Sequence, residues 1–138
     1  MANSVWQQVL GILNDSSIVG YLATVDDGKP RVRPFGFMFE ENGRLYFCTS
    51  SIKDVYKQIT KVPYIEYSKT TKEMVWTRVS GEIKFDDDIT KKERLFEQIP
   101  ELKIPFQTPD NPSFKVFYLE HGSAILDDFT QERRTCEF

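Results

Sequence analysis

Two short turn sequences constrain this chain more than any other feature. Asp26-Asp27-Gly28 and Glu41-Asn42-Gly43 each separate segments rich in β-branched and aromatic residues, a pattern typical of antiparallel strands joined by tight hairpins. The first turn follows IVGYLATV (18–25) and leads into a strand expected over 30–39, and the second leads into RLYFCT (44–49). The first half of the chain is therefore predicted to be an antiparallel meander.

The rest of the chain adds further strands and short helices. Apolar residues at helical spacing predict an N-terminal helix over 4–14, capped by Asn3 or Ser4, a helix over 52–60, and a helix after Asp88. Strands are expected at 63–68, at 74–85 and, as one or two strands, in 114–129, with a proline-containing loop over 102–113. We expect a mainly β (α+β) domain of about six antiparallel strands with short flanking helices, closed into a barrel without open edges.

Length and composition are those of a single domain, residues 1–138. The chain has 138 residues, of which 40% are hydrophobic and 14% aromatic, enough for a core without disulfides or a metal. Its net charge of −3 opposes a general attraction to nucleic acids or anionic lipids. No basic, apolar leader opens the sequence, and no run approaches the roughly 20 apolar residues that cross a bilayer. These features predict a cytoplasmic protein that binds neither nucleic acid nor membrane.

The cysteines and the histidine show no metal-binding pattern, so no metal site is expected. Cys48 and Cys136 lie far apart without a CxxC spacing, and His121 is the only histidine. We interpret Cys48 as a small buried side chain on a strand. His121 precedes Gly122 in an expected turn, which favours exposure to solvent over a role as a proton donor.

Two arginines stand two residues apart in the second expected strand. Because side chains alternate along a strand, Arg31 and Arg33 are predicted to share one face with Phe35, Phe37 and Phe39. Such a pair is typical of solvated charge at the start of a strand, balanced here by the aspartates of the preceding turn. The alternative is a local positive site beside an aromatic row.

A second group of polar residues lies where a strand gives way to a helix. Thr49, Ser50 and Ser51 end the strand and Lys53 is expected in the first helical turn, where free backbone N–H groups and the helix dipole favour an anion. An ordinary helix cap by one of the serines explains the same residues. A lysine near a helix start is unfavourable unless it faces an anion, so the pattern favours a phosphate site.

The arginine strand also contains Pro34, which lacks a backbone donor, and Gly36, which lacks a side chain. Backbone of this kind is open to close approach by a flat molecule. Pairing through the turn at 41–43 is expected to bring the arginines near the helix start. Together these features predict a phosphorylated aromatic ligand. A weaker alternative is a barrel that stacks bases of a nucleic acid.

The sequence resembles a known family over most of its length. YLATVDDGKPRVRPFGFMFEENGRLYFCTSSIKDVYKQI (21–59) is similar to the FMN-binding split barrel of the pyridoxamine 5′-phosphate oxidase superfamily, most of all its nitroimidazole-resistance (nitroimidazole reductase) branch. The resemblance continues through WTRVSGEIKFDDD (76–88) and FYLEHGSAILDDFT (117–130). It implies a split β-barrel, FMN as the cofactor, and a homodimer with two FMN sites at its interface.

The resemblance also implies which residues bind FMN. At the phosphate it places Arg33 or Arg31 with Ser51, Lys53 and the adjoining Ser50. Beside the isoalloxazine it places Pro34, Phe35 and Gly36. Near the ribityl chain it places Cys48 and Thr49. Trp76 stands where the oxidase branch brings a polar residue of the second chain to the flavin. No catalytic residue is implied, because the flavin itself supplies the redox chemistry.

The resemblance leaves two classes of function open. The first is an oxidoreductase that passes electrons from a reduced nicotinamide, or a similar donor, to a small acceptor such as a nitroaromatic or quinone. The second is a non-catalytic module that stores or senses FMN, or holds a deazaflavin or haem. The chain ends at CEF, without the arginine- and histidine-containing segment that holds substrate in true pyridoxamine phosphate oxidases, so that activity is not expected. Arg78 either orients an acidic substrate or is a strand-surface charge.

Overall fold

A computed structural model describes residues 4–138 as nine strands and four α-helices. The strands are β1 (Gly20–Asp26), β2 (Lys29–Phe35), β3 (Phe39–Glu41), β4 (Arg44–Ser50), β5 (Tyr64–Thr70), β6 (Trp76–Asp86), β7 (Phe114–Leu119), β8 (Ser123–Asp127) and β9 (Arg134–Glu137). The helices are α1 (Val5–Leu13), α2 (Asp54–Lys61), α3 (Ile89–Gln98) and α4 (Lys103–Phe106), with a 3₁₀ turn at Pro100–Leu102. The expectation of a mainly β domain with short flanking helices is confirmed. No helix within 4–138 is long and apolar enough to cross a membrane.

The strands form one antiparallel sheet in the order β2-β1-β5-β6-β7-β4-β3, while β8 pairs with β6 and β9 pairs with β8. Among the described residues no ladder joins β2 to β3, so the sheet stays open. The expectation of a closed barrel is therefore wrong, and the strands number nine rather than about six. The segment 114–129 contains β7 and β8, two strands as expected, whereas β9 lies beyond that segment and was not predicted.

The long strand β6 connects the two halves of the sheet. Its beginning pairs with β8 and its end pairs with β7. Gly81 lies between these two stretches with φ of 155°, a backbone angle that side-chain-bearing residues rarely adopt. A glycine there lets one strand change partners, which is what splits the sheet into two halves.

Both predicted hairpin turns are present. Asp27 and Gly28 have φ angles of 51° and 77°, and Asn42 and Gly43 have 53° and 79°. Two central residues with positive φ make a type I′ turn, whose twist matches that of the flanking strands. These turns join β1 to β2 and β3 to β4.

The strand expected over 30–39 is two strands. β2 pairs only with β1 and β3 only with β4, and the chain between them crosses from one half of the sheet to the other. Arg31, Arg33 and Phe35 share a face as expected, but Phe39 lies in a different hydrophobic cluster from Phe35. Side-chain alternation is a local signal, and it ends where the strand ends.

The prolines of β2 sit at its free edge. Pro30 pairs with Val25 and Pro34 pairs with Tyr21, so both prolines occupy the same type of position in the alternating β1–β2 ladder. Since a proline has no N–H to exchange, these are the pairs whose backbone groups point away from the neighbouring strand. Pro34 therefore removes a donor that would point outward, not one that would pair with β1. By the same alternation, the N–H and C=O of Val32 point out of the sheet between the two prolines.

Two of the three predicted helix starts agree with the structure. Ser4 caps α1 in a capping box with Gln7, whereas Asn3, the other predicted cap, lies outside the described residues. Asp88 caps α3 through the N–H of Thr90. The helix expected over 52–60 begins at Asp54 instead, because the serines and Ile52 form a turn before it.

Two hydrophobic clusters hold the sheet and helices together. The first lies between α1, α2 and the larger part of the sheet and includes Leu22, Phe47, Tyr67 and Phe117. The second lies under α3 and α4 against β3, β4 and β7. The segment expected as a loop over 102–113 contains α4, since Phe106 is buried in this second cluster.

Candidate functional site

A cleft of about 610 Å³ lies between the inner face of β2 and the start of α2. We call it the β2–α2 cleft. Its lining residues are Asp26, Arg31, Val32, Arg33, Pro34, Phe35, Thr49, Lys53, Asp54, Val55 and Gln58. It contains six of the sequence-predicted site residues, from segments that are distant in sequence. The arginines reach the helix start because β2 faces α2, not because β2 pairs with β4.

Arg33 is the central cation of this cleft. One terminal nitrogen donates to the Thr24 hydroxyl at 2.8 Å and to the Leu22 carbonyl at 3.2 Å, and the other donates to Gln58 Oε1 at 2.7 Å. All three acceptors are neutral. Burial lowers the pKa of the Arg33 guanidinium, while the nearby Asp54 carboxylate opposes this change. A partly buried guanidinium held in place by neutral acceptors is suited to receive an anion.

Lys53 lies across the cleft at the start of α2. It is the N-cap residue, not a first-turn residue as expected, and its side chain makes no capping hydrogen bond. Its side chain is exposed. No ion pair within residues 4–138 includes Lys53 or Arg33.

Thr49 and Cys48 lie on opposite faces of β4. Thr49 is nearly buried and lines the β2–α2 cleft. Cys48 packs in the second hydrophobic cluster, with its sulfur 3.8 Å from that of Met38. Burial raises the pKa of the Cys48 thiol to about 12, so it is a poor nucleophile near neutral pH. The structure thus brings Thr49, but not the Cys48 side chain, to the cleft.

The two serines that follow Thr49 already make hydrogen bonds within the protein. The N–H of Ser51 donates to the carbonyl of Ser113 at 2.9 Å, and the carbonyl of Ser50 accepts from Lys53. Ser50 is nearly buried, and its hydroxyl accepts from the N–H of Ile52 at 3.4 Å. Neither serine lines the β2–α2 cleft. Neither serine side chain caps the following helix.

Arg31 differs from Arg33 although both lie on one face of β2. Its Nε donates to Asp26 Oδ2 at 3.1 Å in an exposed ion pair. This is the solvated pair that the sequence offered as the simpler interpretation. Arg33, two residues on, points inward to β1 and α2, so the two arginines have different surroundings.

A second cleft of about 430 Å³ adjoins the first at the end of β2. We call it the β1–β2 end cleft. Its lining residues are Ser16, Ile18, Val19, Gly20, Pro34, Phe35, Gly36, Phe37 and Lys69. Pro34 and Phe35 line both clefts, and Gly36 lines only the second. The Pro34–Gly36 segment therefore forms a wall that extends beyond the charged region.

Trp76 and Arg78 lie on β6, outside both clefts. Trp76 packs on Phe129 with ring centres 5.2 Å apart. Arg78 pairs weakly with Glu66 at 3.5 Å, and its buried Nε has no hydrogen-bond partner among the described residues. His121 is exposed in a turn with φ of 55°, as its place before glycine predicts.

Three residues in or beside the β2–α2 cleft were missed in the sequence. Thr24, Asp54 and Gln58 help position Arg33 or line the cleft beside it. Asp54 and Gln58 stand four residues apart, which places both on one face of α2. That spacing was a readable signal, but only the packing of α2 against β1 shows that this face meets β2.

The chemistry available in these clefts is that of binding. No cluster of metal-ligating side chains occurs in the described part of the chain. The β2–α2 cleft has two cations without carboxylate partners, and the adjoining wall is apolar with an unpaired strand edge. This arrangement suits a ligand with an anionic end and a flat body.

Comparisons with known proteins show what this chain is similar to. Residues 6–122 match the family model of pyridoxamine 5′-phosphate oxidase. A NimC/NimA family protein from Clostridium acetobutylicum has the same fold with a TM-score of 0.85 and 35% sequence identity, covering 96% of this chain and 91% of that one. No curated protein sequence matches this chain.

Two more distant structures share the fold alone. A pyridoxamine 5′-phosphate oxidase-related, FMN-binding protein from Nostoc punctiforme has a TM-score of 0.65 and 16% identity, covering 100% of this chain and 99% of that one. A haem-binding protein from Mycobacterium smegmatis has a TM-score of 0.77 and 13% identity, covering 99% of this chain and 60% of that one. Proteins of this fold therefore hold more than one kind of cofactor.

Proposed function

The chain belongs to the pyridoxamine 5′-phosphate oxidase family, and from this premise we propose that it is an FMN-dependent oxidoreductase. It would pass electrons from a reduced nicotinamide, or a similar donor, to a small acceptor such as a nitroaromatic or quinone. The match to a NimC/NimA family protein supports the nitroaromatic class over the oxidation of pyridoxamine phosphate.

The main support for FMN is the state of Arg33. Its guanidinium is partly buried, its pKa is lowered by burial, and it has only neutral hydrogen-bond acceptors. A phosphate in the β2–α2 cleft would supply a charged acceptor that Arg33 lacks among its hydrogen bonds, with Lys53 on the opposite side. Hydrogen bonds between ionised groups are about twice as strong as those between neutral ones, so this contact favours FMN over a flavin without phosphate.

The isoalloxazine ring would lie beside the Pro34–Gly36 segment on the side of the first cleft, where Pro34 and Phe35 line the β2–α2 cleft. This segment continues from the phosphate end of the cleft, and its strand edge is not covered by another strand among residues 4–138. Val32 offers an outward N–H and C=O beside it, which suits the polar edge of a flavin. Thr49 is close enough to the cleft surface to contact the ribityl chain.

The protein's part in the reaction is to bind and orient. FMN, when bound, supplies the hydride and electron transfer chemistry. Gln58 and Thr24 hold Arg33 toward the cleft, and the hydroxyl of Tyr67 donates to the carbonyl of Phe35 at 2.8 Å, which fixes the wall segment. With FMN bound, these contacts would hold the residues on which the phosphate and the ring rest.

Haem is the alternative cofactor raised by the fold. The only histidine, His121, is exposed in a turn and lines neither cleft, so it is not placed to be an axial ligand there. This observation favours a flavin. A module that holds FMN without turnover remains the competing function, and it differs only in what the bound flavin does.

We also propose that the protein is a homodimer whose interface completes the flavin site. The outer face of the sheet has exposed apolar side chains, since Tyr21 is 49% exposed and Val32 is 70% exposed. The β1–β5–β6 register places Tyr21 across from Ser68 and Arg78, on the same face as Trp76. Exposed apolar surface of this kind is typical of an interface, and aromatic and arginine side chains are its usual anchors.

The dimer is tested with Trp76→Glu. Light scattering of the parent protein should give twice the 16.1 kDa chain mass, and the variant should lose both the dimer and its bound FMN. Ile104→Glu is the matched control, because Ile104 is 80% exposed on α4 and should change neither property. A monomeric Trp76→Glu protein that binds FMN with the parent affinity would contradict the shared site.

The oxidoreductase function is tested by the spectrum and by turnover. The purified protein should release FMN on denaturation, identified by its mass. With FMN bound, reduced nicotinamide should bleach the flavin spectrum without oxygen, and a nitroaromatic compound should restore it. Bound FMN that no nicotinamide or comparable donor reduces would favour the storage or sensing function.

A further inference from the structure

The β1–β2 end cleft has one buried cation and no acidic side chain in its lining. Lys69 is 4% exposed, and its ammonium donates to the carbonyls of Leu13 and Asp15 at 2.8 and 3.0 Å. Among residues 4–138 no carboxylate lies within ion-pair distance of it. An ammonium has three donors, so one N–H remains beyond the two carbonyl contacts.

The positive charge of Lys69 is poorly compensated. Burial lowers the pKa of its ammonium, with only the Coulombic effect of the exposed Asp15 carboxylate opposing this change. A buried charge without an ionic partner is costly, and the contact with the end of α1 recovers only part of that cost. An anion in the cleft would recover more.

Apart from Ser16, the rest of the cleft is apolar, and its Phe35 wall is held in place. Ile18, Val19, Phe35 and Phe37 form its walls. The Phe35 carbonyl is fixed by the Tyr67 hydroxyl, which passes so close to Gly20 that any added Cβ would collide with it. Flat apolar walls with one charge suit a planar molecule that has a single anionic group.

We propose that the β1–β2 end cleft binds the small-molecule substrate of the protein, and that this substrate is a planar aromatic anion whose charge is met by Lys69. The inference rests on the proposed flavin site, because Pro34 and Phe35 line both clefts. A molecule bound in the second cleft lies next to whatever occupies the first. Lys69 is then a specificity-determining residue for substrates with a carboxylate or similar group.

The test compares two probes of matched shape, 4-nitrobenzoate and uncharged 4-nitrotoluene. Their dissociation constants are measured by calorimetry with the FMN-loaded protein. The parent should bind 4-nitrobenzoate about tenfold or more tightly than 4-nitrotoluene, as expected for a hydrogen bond to a charged group. Lys69→Met should abolish this preference, whereas the control Lys72→Met, which removes an exposed charge nearby on the following turn, should keep it.

A second variant tests the charge in the cleft without disturbing the contact that Lys69 makes with the end of α1. Val19→Asp adds a negative charge at a position that is 58% exposed on the cleft, and it should weaken 4-nitrobenzoate binding without affecting 4-nitrotoluene. The proposal is overturned if the parent binds both probes equally, or if Val19→Asp leaves 4-nitrobenzoate binding unchanged. If the protein takes up no FMN, the proposed function fails, and the same titrations on the flavin-free chain decide the cleft inference separately.

Discussion

Two charged clefts of similar size differ in how their cations are neutralised. The β2–α2 cleft measures about 610 Å³, and a cleft lined by the β3–β4 turn, the end of β6 and α3 measures about 560 Å³. We call the latter the α3 cleft. Both contain arginine and lysine side chains near aromatic residues, but the α3 cleft is lined by more acidic side chains.

In the α3 cleft every basic side chain has an acidic partner. Glu41 accepts from Lys91 and from Arg94, the latter at 3.0 Å, and Glu120 accepts from Arg44 at 2.8 Å. The Tyr46 hydroxyl and Glu120 raise the pKa of the Arg44 guanidinium. In the β2–α2 cleft burial instead lowers the pKa of Arg33, whose acceptors are neutral.

This difference in charge compensation distinguishes a structural network of ion pairs from the proposed binding site. A cation whose charge is compensated within the protein gains little from an added anion, whereas one held by neutral acceptors gains a charge-assisted hydrogen bond. The state of charge compensation, not the number of cations, is therefore the reason we propose the β2–α2 cleft as the anion site. Three substitutions test this comparison.

The largest effect is expected for Arg33→Ala. It removes the central cation of the β2–α2 cleft and should weaken FMN binding by about 1.5 to 3 kcal/mol, or roughly 10- to 150-fold. Riboflavin binding should change far less, because it has no phosphate. Calorimetric titration of both ligands measures the difference. An equal loss for FMN and riboflavin would mean that Arg33 acts on the ring or on the fold.

A smaller effect is expected for Lys53→Ala. This side chain is exposed, so solvent screens its charge and the loss of FMN affinity should be at the lower end, about 1.5 kcal/mol. Lys57→Ala removes an exposed lysine from the next turn of α2 and is the matched control. Identical FMN affinities for the two variants would show that the phosphate does not lie at the helix start.

The smallest effect on FMN is expected for Arg94→Ala, which removes a cation paired with Glu41 at the edge of the α3 cleft. FMN affinity should stay at the parent value, since the charge of Arg94 is compensated by Glu41. The variant should lose about 1 kcal/mol of unfolding free energy, because Arg94 also lies 3.7 Å from the centre of the Phe39 ring. Urea unfolding measures this loss. Weaker FMN binding by the Arg94→Ala variant would contradict the proposed difference between the two clefts.

Local features of the fold could be predicted and long-range pairing could not. The type I′ turns, the Ser4 and Asp88 caps and most strand positions follow from residues adjacent in sequence. The division of 30–39 into β2 and β3 does not, because both parts have the same apolar alternation. Whether the sheet closes depends on partners far apart in the chain, which one sequence does not reveal.

The candidate site shows the same limit. Arg33, Thr49 and Lys53 were predicted from residue type and position, and the structure brings them to one cleft. Gln58 was missed, because its role depends on how α2 packs on the sheet. The side chain of Cys48 points to the second cluster, a consequence of strand alternation that the family resemblance alone did not resolve.

The central claim is that the β2–α2 cleft is a phosphate site, and the most direct measurement is the affinity of the flavin-free protein for FMN and for riboflavin. Both ligands present the same ring, so calorimetry in one buffer isolates the contribution of the phosphate. Binding of FMN should be tighter by at least about 1.5 kcal/mol, roughly tenfold, through the charges of Arg33 and Lys53, which make no ion pair within residues 4–138. Equal affinities for the two ligands would contradict the account.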